Sequence, residues 1–506
     1  MESIIVEFQN CFIFILLLFF FSLLSYSFFK KPKGNFDLPP SPPSLPIIGY
    51  LELFFSALTQ KYLQKLSSKY GPLLNLGIFN VPIILVSSAS MVYEIFRVND
   101  VNFSSRGVAA IDESLAFGSS GIIHAPYGDY WKFMKKLVAT KMLGPQAQEQ
   151  SRGIRAEELE RFYKTLLDKA MKKEKVEILV ETVRLINNSI CKMSMGKSSV
   201  ENNDSERVMI LSAQLSALSM KFFLAKMLRN LLEKLGFSLF RKEIMGVSHR
   251  FEKLLDRIIL EHEEKLDGNQ DKDLMDAFLE AYRDENAEYK ITKAHIKSLF
   301  VELFLGATDT SATATHWTMA EILHNPKVFE RLREELDSVV GKTRLIQETD
   351  LPNLPYLQAV VKEGLRMHPP IPVFVRSSQK GCRIGGFYIE EKTTLMVNTY
   401  AVMRDSNSWE DPNEFKPERF LASSRKEDNI FNYIPFGSGR RRCPGSNLGS
   451  IFVGTAIGIM VQCFDWEIKG DKVNMEEATG RSFLTMAHPL RGIPFPRIIN
   501  PLPCNV

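Results

Sequence analysis

Apolar positions recur at helical spacing through most of this chain, and only short stretches alternate. Alternation at residues 73–86 and 387–397 predicts β-strands, whereas most other apolar patterns have the three-to-four-residue spacing of helices. The longest helical pattern covers residues 292–324 and stops before Pro326, because proline breaks a helix. Another apolar pattern, over residues 448–461, predicts a buried helix. Together these patterns predict a mainly α protein with small β-sheets.

The N-terminus carries an apolar segment long enough to cross a bilayer. Residues 11–29 are uncharged and rich in Phe, Leu and Ile, and as a helix they would span about 28 Å. Lys30, Lys31 and Lys33 follow, whereas the charged residues before the segment are acidic, so the N-terminus is predicted in the lumen and the rest in the cytosol. A signal peptide fits less well, because no small-residue cleavage site precedes the lysines. We therefore predict a single-pass membrane anchor over residues 1–37.

A proline-rich segment follows the anchor. Residues 38–49 contain five prolines, a density that excludes a helix or a central strand and predicts a stiff extended hinge. No second linker, internal repeat or long low-complexity segment follows. Residues 50–506 are therefore predicted to form one catalytic domain.

Composition and charge exclude several function classes. The chain has 506 residues, of which 45% are hydrophobic and 24% charged, a balance typical of a globular protein. The net charge of +4 comes from basic residues spread along the chain, and no dense basic patch predicts nucleic-acid binding. Six scattered cysteines without a C-x-x-C pair do not form the pattern of a disulfide scaffold.

One cysteine lies in a glycine-rich loop directly before the second apolar helix. Residues 436–445 read Phe-Gly-Ser-Gly-Arg-Arg-Arg-Cys-Pro-Gly, and Cys443 is the cysteine. Glycines on both sides suit a tight turn whose N–H groups point at a thiolate, which needs such donors when buried. A buried cysteine without function is the alternative. A dinucleotide fingerprint fails, because Arg442 stands where its third glycine belongs.

This loop resembles the Phe-x-x-Gly-x-Arg-x-Cys-x-Gly haem-thiolate loop of the cytochromes P450. All five fixed positions match, at Phe436, Gly439, Arg441, Cys443 and Gly445. The resemblance implies the mainly α cytochrome P450 fold with small β-sheets and one N-terminal transmembrane helix. It also implies a haem b whose iron is bound axially by the Cys443 thiolate.

A second motif lies in the long helix. Residues 306–311 place glycine, aspartate and hydroxyl side chains inside a strong helix, where they lower helix propensity, and such local conflict often marks function. They resemble the oxygen-activation motif Ala/Gly-Gly-x-Asp/Glu-Thr-Thr/Ser of the family, in which Asp309 and Thr310 would relay protons. Ala307 departs from the usual second glycine, which could narrow the oxygen groove.

Four residues resemble the family's haem-propionate partners, and three of them lie outside the Cys443 loop. Trp131 and Lys135 lie one helical turn apart, so an indole N–H and a cation share one face. They resemble a Trp-x-x-x-Arg motif, although lysine lacks the bidentate fork of arginine. Arg376, in the segment that follows His368, resembles another propionate partner, as does Arg441. His368 and His488 are predicted to be structural, because Cys443 already occupies the ligand motif.

Two more segments resemble a structural ion-pair network of the family. Glu363 and Arg366 form a Glu-x-x-Arg motif in apolar surroundings, and Arg419 lies in a Pro-Glu-Arg-Phe element. In cytochromes P450 these three side chains would form a buried charged triad. A pair of surface charges three residues apart is the alternative.

The resemblance covers the chain from anchor to C-terminus and implies a monooxygenase of the endoplasmic reticulum membrane. It would use O2 and electrons from NADPH–cytochrome P450 reductase, since the chain shows no flavin or nicotinamide fingerprint. The sequence is most similar to the plant microsomal A-type group that includes thalianol- and arabidiol-oxidising enzymes. A lipophilic triterpenoid substrate is therefore predicted. Residues 105–124 and 211–224 are predicted to line its pocket.

Other functions remain open at this point. A flavonoid-oxidising cytochrome P450 is the nearest alternative. A reductase-independent haem-thiolate isomerase is a second, although such enzymes typically lack the threonine found at residue 310. A catalytically inactive haem sensor is the third, and the intact Asp309 and Thr310 pair argues against it.

Overall fold

The computed structural model describes most of the predicted catalytic domain. It describes residues 15–16, 18–22, 37–44, 49–50, 59–78, 81–107, 114–116, 118–196, 201–232, 238–265, 273–421, 431–468, 473–479 and 483–497, with residues 226–232 and 265 described only as helical. Helices dominate and the sheets are small, as the sequence pattern predicted.

The helices are numbered here in chain order. They are α1 Thr59–Tyr70, α2 Ala89–Tyr93, α3 Asp129–Val138, α4 Pro145–Gln150, α5 Arg152–Met171, α6 Ile178–Met195, α7 Asp204–Leu232, α8 Arg241–Lys265, α9 Leu274–Arg283, α10 Lys293–His324, α11 Pro326–Val339, α12 Pro355–Met367, α13 Thr399–Val402 and α14 Ser446–Cys463. Short π-helical turns extend α2 over Glu94–Val98 and α3 over Ala139–Leu143.

Within the described residues, nine strands form three sheets. They are β1 Leu73–Ile78, β2 Val81–Val86, β3 Val176–Glu177, β4 Val373–Ser377, β5 Cys382–Ile384, β6 Phe387–Ile389, β7 Thr394–Asn398, β8 Phe464–Ile468 and β9 Arg491–Pro496. The largest sheet has the order β1-β2-β7-β4, in which the β2–β7 pair is parallel and the others are antiparallel. The order of the second is β3-β9-β8, and β5 pairs with β6 in the third. The strands predicted at 387–397 thus belong to two different sheets.

The long helix α10 is the centre of the fold. The side chain of Thr292 accepts the N–H of His295 and caps its start, and Asn325 before Pro326 ends it, so the predicted boundaries hold within one residue. It packs against α6, α7, α12 and α14. Phe300, Phe304 and Trp317 are fully buried. A helix that contacts neighbours on every side needs apolar residues all round, which explains why its pattern is nearly continuous.

Most of the predicted anchor lies outside the described residues. The described positions, 15–16 and 18–22, are helical, and their large apolar side chains are exposed. Among the described residues, the stretch Asp204–Ala225 of α7 and the whole of α14 are also long and apolar enough to span a membrane. Most of α14 is buried inside the fold, which accounts for its apolar composition.

Residues 38–44 of the proline-rich hinge, with Asp37 before them, have no regular secondary structure and lie against the sheets. The carbonyl of Pro40 accepts the N–H of Asn75 at 2.8 Å, and the carbonyl of Asp37 accepts the N–H of Tyr388 at 2.7 Å. The hydroxyl of Tyr50 donates to the carbonyl of Pro42 at 2.5 Å. This part of the hinge is therefore attached to the domain.

The predicted charged triad is present in the fold. Arg366 donates to both carboxylate oxygens of Glu363, at 2.7 and 2.9 Å, and Arg419 donates to the same carboxylate at 3.0 Å. Glu363 and Arg366 are fully buried. The remaining donors of Arg366 go to the carbonyls of Met403 and Pro412. A buried pair with every partner satisfied is a structural element, and the surface alternative is wrong.

We expect Glu363→Ala to lower the free energy of unfolding by about 3–5 kcal/mol, because it leaves the buried Arg366 charge without its carboxylate. Denaturant unfolding followed by circular dichroism measures the change. Arg331→Ala is the matched control, because Arg331 pairs with Glu418 on the surface, where an ion pair contributes about 0–1 kcal/mol. Equal losses in the two variants would contradict a buried triad.

Candidate active site

The loop before α14 holds Cys443 in a fixed backbone conformation. Gly437 and Gly439 have φ angles of 69° and 71°, which favour glycine. The Cys443 N–H donates to the carbonyl of Phe436 at 2.9 Å, and the Arg442 N–H donates to that of Gly439 at 3.0 Å. Two consecutive turns therefore bring the cysteine back over Phe436.

An aspartate that the sequence analysis missed attaches this loop to the end of α2. Asp100 accepts the backbone N–H of Arg440 at 2.9 Å and pairs with the Arg440 guanidinium at 3.2 Å. A Cβ atom at Gly439 would overlap the Asp100 carboxylate, so glycine is required there for space as well as for φ. No local pattern marks Asp100, because its partner lies 340 positions away.

The Cys443 side chain is open on one side and lined by donors on the other. Cys443 is exposed to solvent on one side, and protein atoms surround the rest of its thiol. Burial raises the pKa of Cys443, opposed by the backbone N–H of Gly445 and by the charges of Arg106 and Arg442. A bound metal ion removes the thiol proton outright, so an open thiol with these donors fits an iron ligand.

Two buried arginines belong to this site, one on β4 and one in the Cys443 loop itself. Arg376, on β4, donates to the carbonyls of Val375 at 2.9 Å and Arg441 at 3.4 Å, and its buried Nε has no hydrogen-bond partner among the described residues. Burial lowers the pKa of Arg376 well below its ordinary value, and the charges of Arg106 and Arg441 lower it further. A nearby anion would stabilise the charged form of such a buried arginine.

Arg441 is held by three backbone carbonyls of the segment that leads to α3. It donates to Ser104 at 2.6 Å, to Ile122 at 3.0 Å and to Ala125 at 2.5 Å. Its guanidinium lies 4.3 Å from the ring centre of Trp131. Burial and then the Arg106 charge lower the pKa of Arg441 to about 9.

The structure places Trp131 and Lys135 of α3 beside the Cys443 loop. The Trp131 indole N–H donates to the carbonyl of Ile122 at 3.1 Å, and the Lys135 ammonium donates to the carbonyl of Arg440 at 2.8 Å. Lys135 lies 5.0 Å from the centre of the Trp131 ring. Both donors thus contact backbone carbonyls of the same site.

These residues form a cationic cluster of Arg106, Lys135, Arg376 and Arg441. The carboxyl groups near it are Asp100 and Glu302, and burial raises the pKa of Glu302 to about 8. Four cationic side chains thus lie near two carboxyl groups, so positive charge exceeds negative charge whether or not Glu302 is ionised. A cofactor with two carboxylates would restore the balance. The cluster, the unpartnered Arg376 Nε and the open thiol together fit a haem with its two propionates.

Asp309 and Thr310 lie on the part of α10 that faces α7. The Asp309 carboxylate accepts a hydrogen bond from the Ser216 hydroxyl, and burial raises the pKa of Asp309 despite that bond. The Thr310 hydroxyl donates to the carbonyl of Gly306 at 2.6 Å. A Cβ atom at Gly306 would meet nothing within 4 Å, so this glycine borders open space, whereas Ala307 packs against the core.

Both histidines that could compete as ligands have other contacts. His368 stacks on Trp317 with the ring centres 4.0 Å apart, and its Nε2 lies 2.7 Å from a carboxylate oxygen of Glu321. His488 is exposed and lies 3.6 Å from Glu476. The contacts of His368 support its structural assignment, and that of His488 stays a prediction.

Parts of the predicted substrate boundary pack against α7 and α8. His124 contacts Phe222 of α7 with ring centres 5.4 Å apart, and the Leu115 N–H donates to Ser248 of α8 at 3.0 Å. Trp317 donates to the carbonyl of Leu484 at 2.7 Å. Helix α10 therefore also positions the segment before β9. Ile111 and Phe117, which were predicted to line the pocket, lie outside the described residues.

Comparison with known proteins decides which family has this arrangement. The sequence profile of the cytochrome P450 family matches residues 39–492. This chain belongs to the cytochrome P450 family. Cytochrome P450 705A1 of Arabidopsis thaliana is 68% identical, with 99% of each chain covered. The 3,9-dihydroxypterocarpan 6A-monooxygenase of Glycine max is 38% identical over 94% of this chain and 95% of the relative.

The fold is also that of a solved cytochrome P450. A zebrafish cytochrome P450 in a structure with abiraterone has a TM-score of 0.72 and 25% identity, over 87% of this chain and all of the other. The protein is accordingly a cytochrome P450 monooxygenase, an oxidoreductase with a haem whose iron is bound by the thiolate of Cys443. The alternatives of an inert cysteine and of a dinucleotide loop are wrong.

We expect Cys443→His to move the carbon-monoxide difference band of the reduced protein away from the thiolate position, because imidazole donates less electron density to iron. Absorbance spectroscopy of the purified haem protein measures this shift. Cys382→Ser, at the half-buried Cys382 of β5, should leave the spectrum unchanged. An unshifted band in Cys443→His would rule out this ligand.

Proposed function

We propose that this cytochrome P450 oxidises a lipophilic plant specialised metabolite, a triterpenoid, by hydroxylation, desaturation or carbon–carbon cleavage. One observation carries the oxidative chemistry: the open Cys443 thiol lies beside the cationic cluster. The presence of Asp309 and Thr310 on α10 supports it. The substrate class follows from the likeness of the sequence motifs to the group that includes thalianol- and arabidiol-oxidising enzymes.

In this proposal each residue around the haem has a separate task. When bound, the haem supplies oxygen activation and the oxidation of a C–H bond. Cys443 holds the iron, while Phe436 and Gly439 keep its loop folded. The two propionates are bound by Lys135, Arg376 and Arg441 of the cationic cluster and by the adjacent Trp131. Arginine can bind a carboxylate through a bidentate pair of hydrogen bonds.

Asp309 and Thr310 are proposed to carry protons to the oxygen side of the haem. A carboxyl group with a raised pKa holds its proton more readily near neutral pH and can therefore act as a donor. Ser216 keeps this carboxyl group in place through its hydrogen bond. The Thr310 hydroxyl, anchored to Gly306, keeps its lone pairs free to accept from a water molecule.

We expect Asp309→Asn to lower product formation by about 10²-fold, because the amide cannot exchange the proton that the carboxyl group carries. The carbon-monoxide spectrum should stay normal, so the loss will not come from missing haem. Ser216→Ala serves as the control, since it removes the hydrogen-bond donor and keeps the acid. Product formation at the wild-type rate in Asp309→Asn would contradict the relay.

The proposed location is the endoplasmic reticulum membrane, with residues 1–37 as a single-pass anchor and the catalytic domain in the cytosol. The exposed apolar helix at residues 15–16 and 18–22 supports an anchor. NADPH–cytochrome P450 reductase is the proposed electron donor. The exposed Lys132, Lys136 and Arg440, near the Cys443 loop, offer positive charge to an acidic partner.

A flavonoid-type substrate is the second candidate, and a specific observation favours it. The Glycine max relative that is 38% identical is named for the oxidation of 3,9-dihydroxypterocarpan. A reductase-independent isomerase or a haem sensor has less support, because Asp309 and Thr310 are both present on α10.

A ligand panel separates these candidates. We expect triterpenes to convert the ferric haem to high spin, because a bulky apolar ligand expels water from the open space, whereas flavonoids and pterocarpans should not. Difference spectroscopy measures this shift, and NADPH consumption with reductase measures turnover. A shift produced by a pterocarpan alone would favour the second candidate. Turnover without reductase would favour an isomerase.

A further inference from the structure

A buried glutamate one turn before Gly306 takes no part in the chemistry described above. Glu302, on α10, is 3% exposed. The Ile123 N–H lies 3.0 Å from each of its two carboxylate oxygens, and the Ile122 N–H also donates to it. A Cβ atom at Gly121 would overlap the carboxylate, so the backbone turn packs directly on Glu302.

The peptide bond between Ile122 and Ile123 connects Glu302 to the haem side. Its N–H points at Glu302, and its carbonyl accepts from Trp131 at 3.1 Å and from Arg441 at 3.0 Å. Because a trans peptide is planar, its N–H and C=O point in opposite directions. Whatever fixes the N–H therefore fixes the carbonyl, and the carbonyl orients Arg441 of the cationic cluster and the adjacent Trp131.

We propose that Glu302 is a positioning residue, which orients the peptide between Ile122 and Ile123 and through its carbonyl holds Arg441 beside Trp131, with the remaining N–H groups of Arg441 left for the haem propionates. The inference rests on the propionate placement proposed above and not on the substrate class. It assigns Glu302 a role at a distance from the reacting atoms. Such supporting residues typically change metal-site affinity by about 10–100-fold when they are replaced.

The charges around Glu302 give this role a pH dependence. Arg106, Arg441 and Tyr130 face it from the preceding loop, the Cys443 loop and α3. Burial raises the pKa of Glu302 to about 8, so the group is neutral below that pH and ionised above it. An ionised Glu302 attracts Arg106 and Arg441 away from the propionates, and haem binding should therefore weaken as the pH approaches about 8.

The chain offers a matched control. Glu335, on α11, accepts two consecutive backbone N–H groups, from Tyr356 at 2.7 Å and Leu357 at 2.9 Å. It thus resembles Glu302 in bonding and lies on another helix. Comparing Glu302→Leu with Glu335→Leu separates positioning at the haem from the general loss of a backbone acceptor.

The experiment measures transfer of haem from the full-length holoprotein to apomyoglobin, without substrate or reductase. We expect Glu302→Leu to lose haem about tenfold faster than wild type. Glu302→Gln, which keeps a neutral acceptor, and Glu335→Leu should stay near the wild-type rate. Hydrogen exchange should show lost protection at Ile122 and Ile123 in Glu302→Leu alone.

The pH dependence supplies a second readout that a purely structural role would not produce. The wild-type protein should lose haem faster at pH 8 than at pH 6.5, a range below the pKa of Arg441 of about 9, and Glu302→Gln should remove this difference, because glutamine cannot ionise. If Glu302→Leu does not load haem, Gly121→Ala replaces it, since the added methyl group displaces the turn while the carboxylate remains.

Three results would overturn the role of Glu302. The first is haem loss at the wild-type rate in both Glu302→Leu and Gly121→Ala. The second is haem loss in Glu335→Leu that is as fast as in Glu302→Leu. The third is a pH dependence of haem loss in Glu302→Gln that equals that of the wild type. Arg376→Gln, which removes a guanidinium bonded to the carbonyls of Val375 and Arg441, tests the underlying placement separately. Haem loss at the wild-type rate in Arg376→Gln would refute the propionate placement, whereas fast loss there with slow loss in Glu302→Leu would refute the role of Glu302 alone.

Discussion

The excess of buried positive charge beside one thiol is the constraint on which the site depends. Arginines that share a buried space repel one another and lose hydration, so the fold must hold them by other means. Arg441 is held by three carbonyls, and Arg376 partly by the carbonyl of Arg441. The backbone of the loop before α3 and of the Cys443 loop therefore acts as the scaffold for these charges.

One helix carries residues of several parts of the site. Helix α10 holds Asp309 and Thr310 toward α7, Glu302 against the loop before α3, and Trp317 against the segment before β9. Its nearly continuous burial keeps these groups in a fixed register along one axis. Specificity can therefore vary in the surrounding loops and in α7 while the chemistry stays in place.

Local sequence patterns predicted the Cys443 loop, the boundaries of α10 and the triad of Glu363, because each rests on a motif or a helical period. Pairs distant in sequence could not be predicted in this way. Ser216 and Asp309 are 93 positions apart, and nothing near Ser216 marks it. Glu302 did carry a signal, since an acid in an apolar helix needs a partner, but that partner is a backbone N–H and has no sequence signature.

The attachment of the proline-rich segment to the sheets defines where the folded unit begins. Pro40 and Asp37 contribute carbonyls to N–H groups of β1 and β6 that would otherwise face solvent. A shortened protein that starts after residue 44 would expose these strand edges, which invites edge-to-edge association. Removal of the apolar N-terminus to obtain a water-soluble enzyme should therefore cut before Asp37, so that the prolines remain as a cover for the sheets.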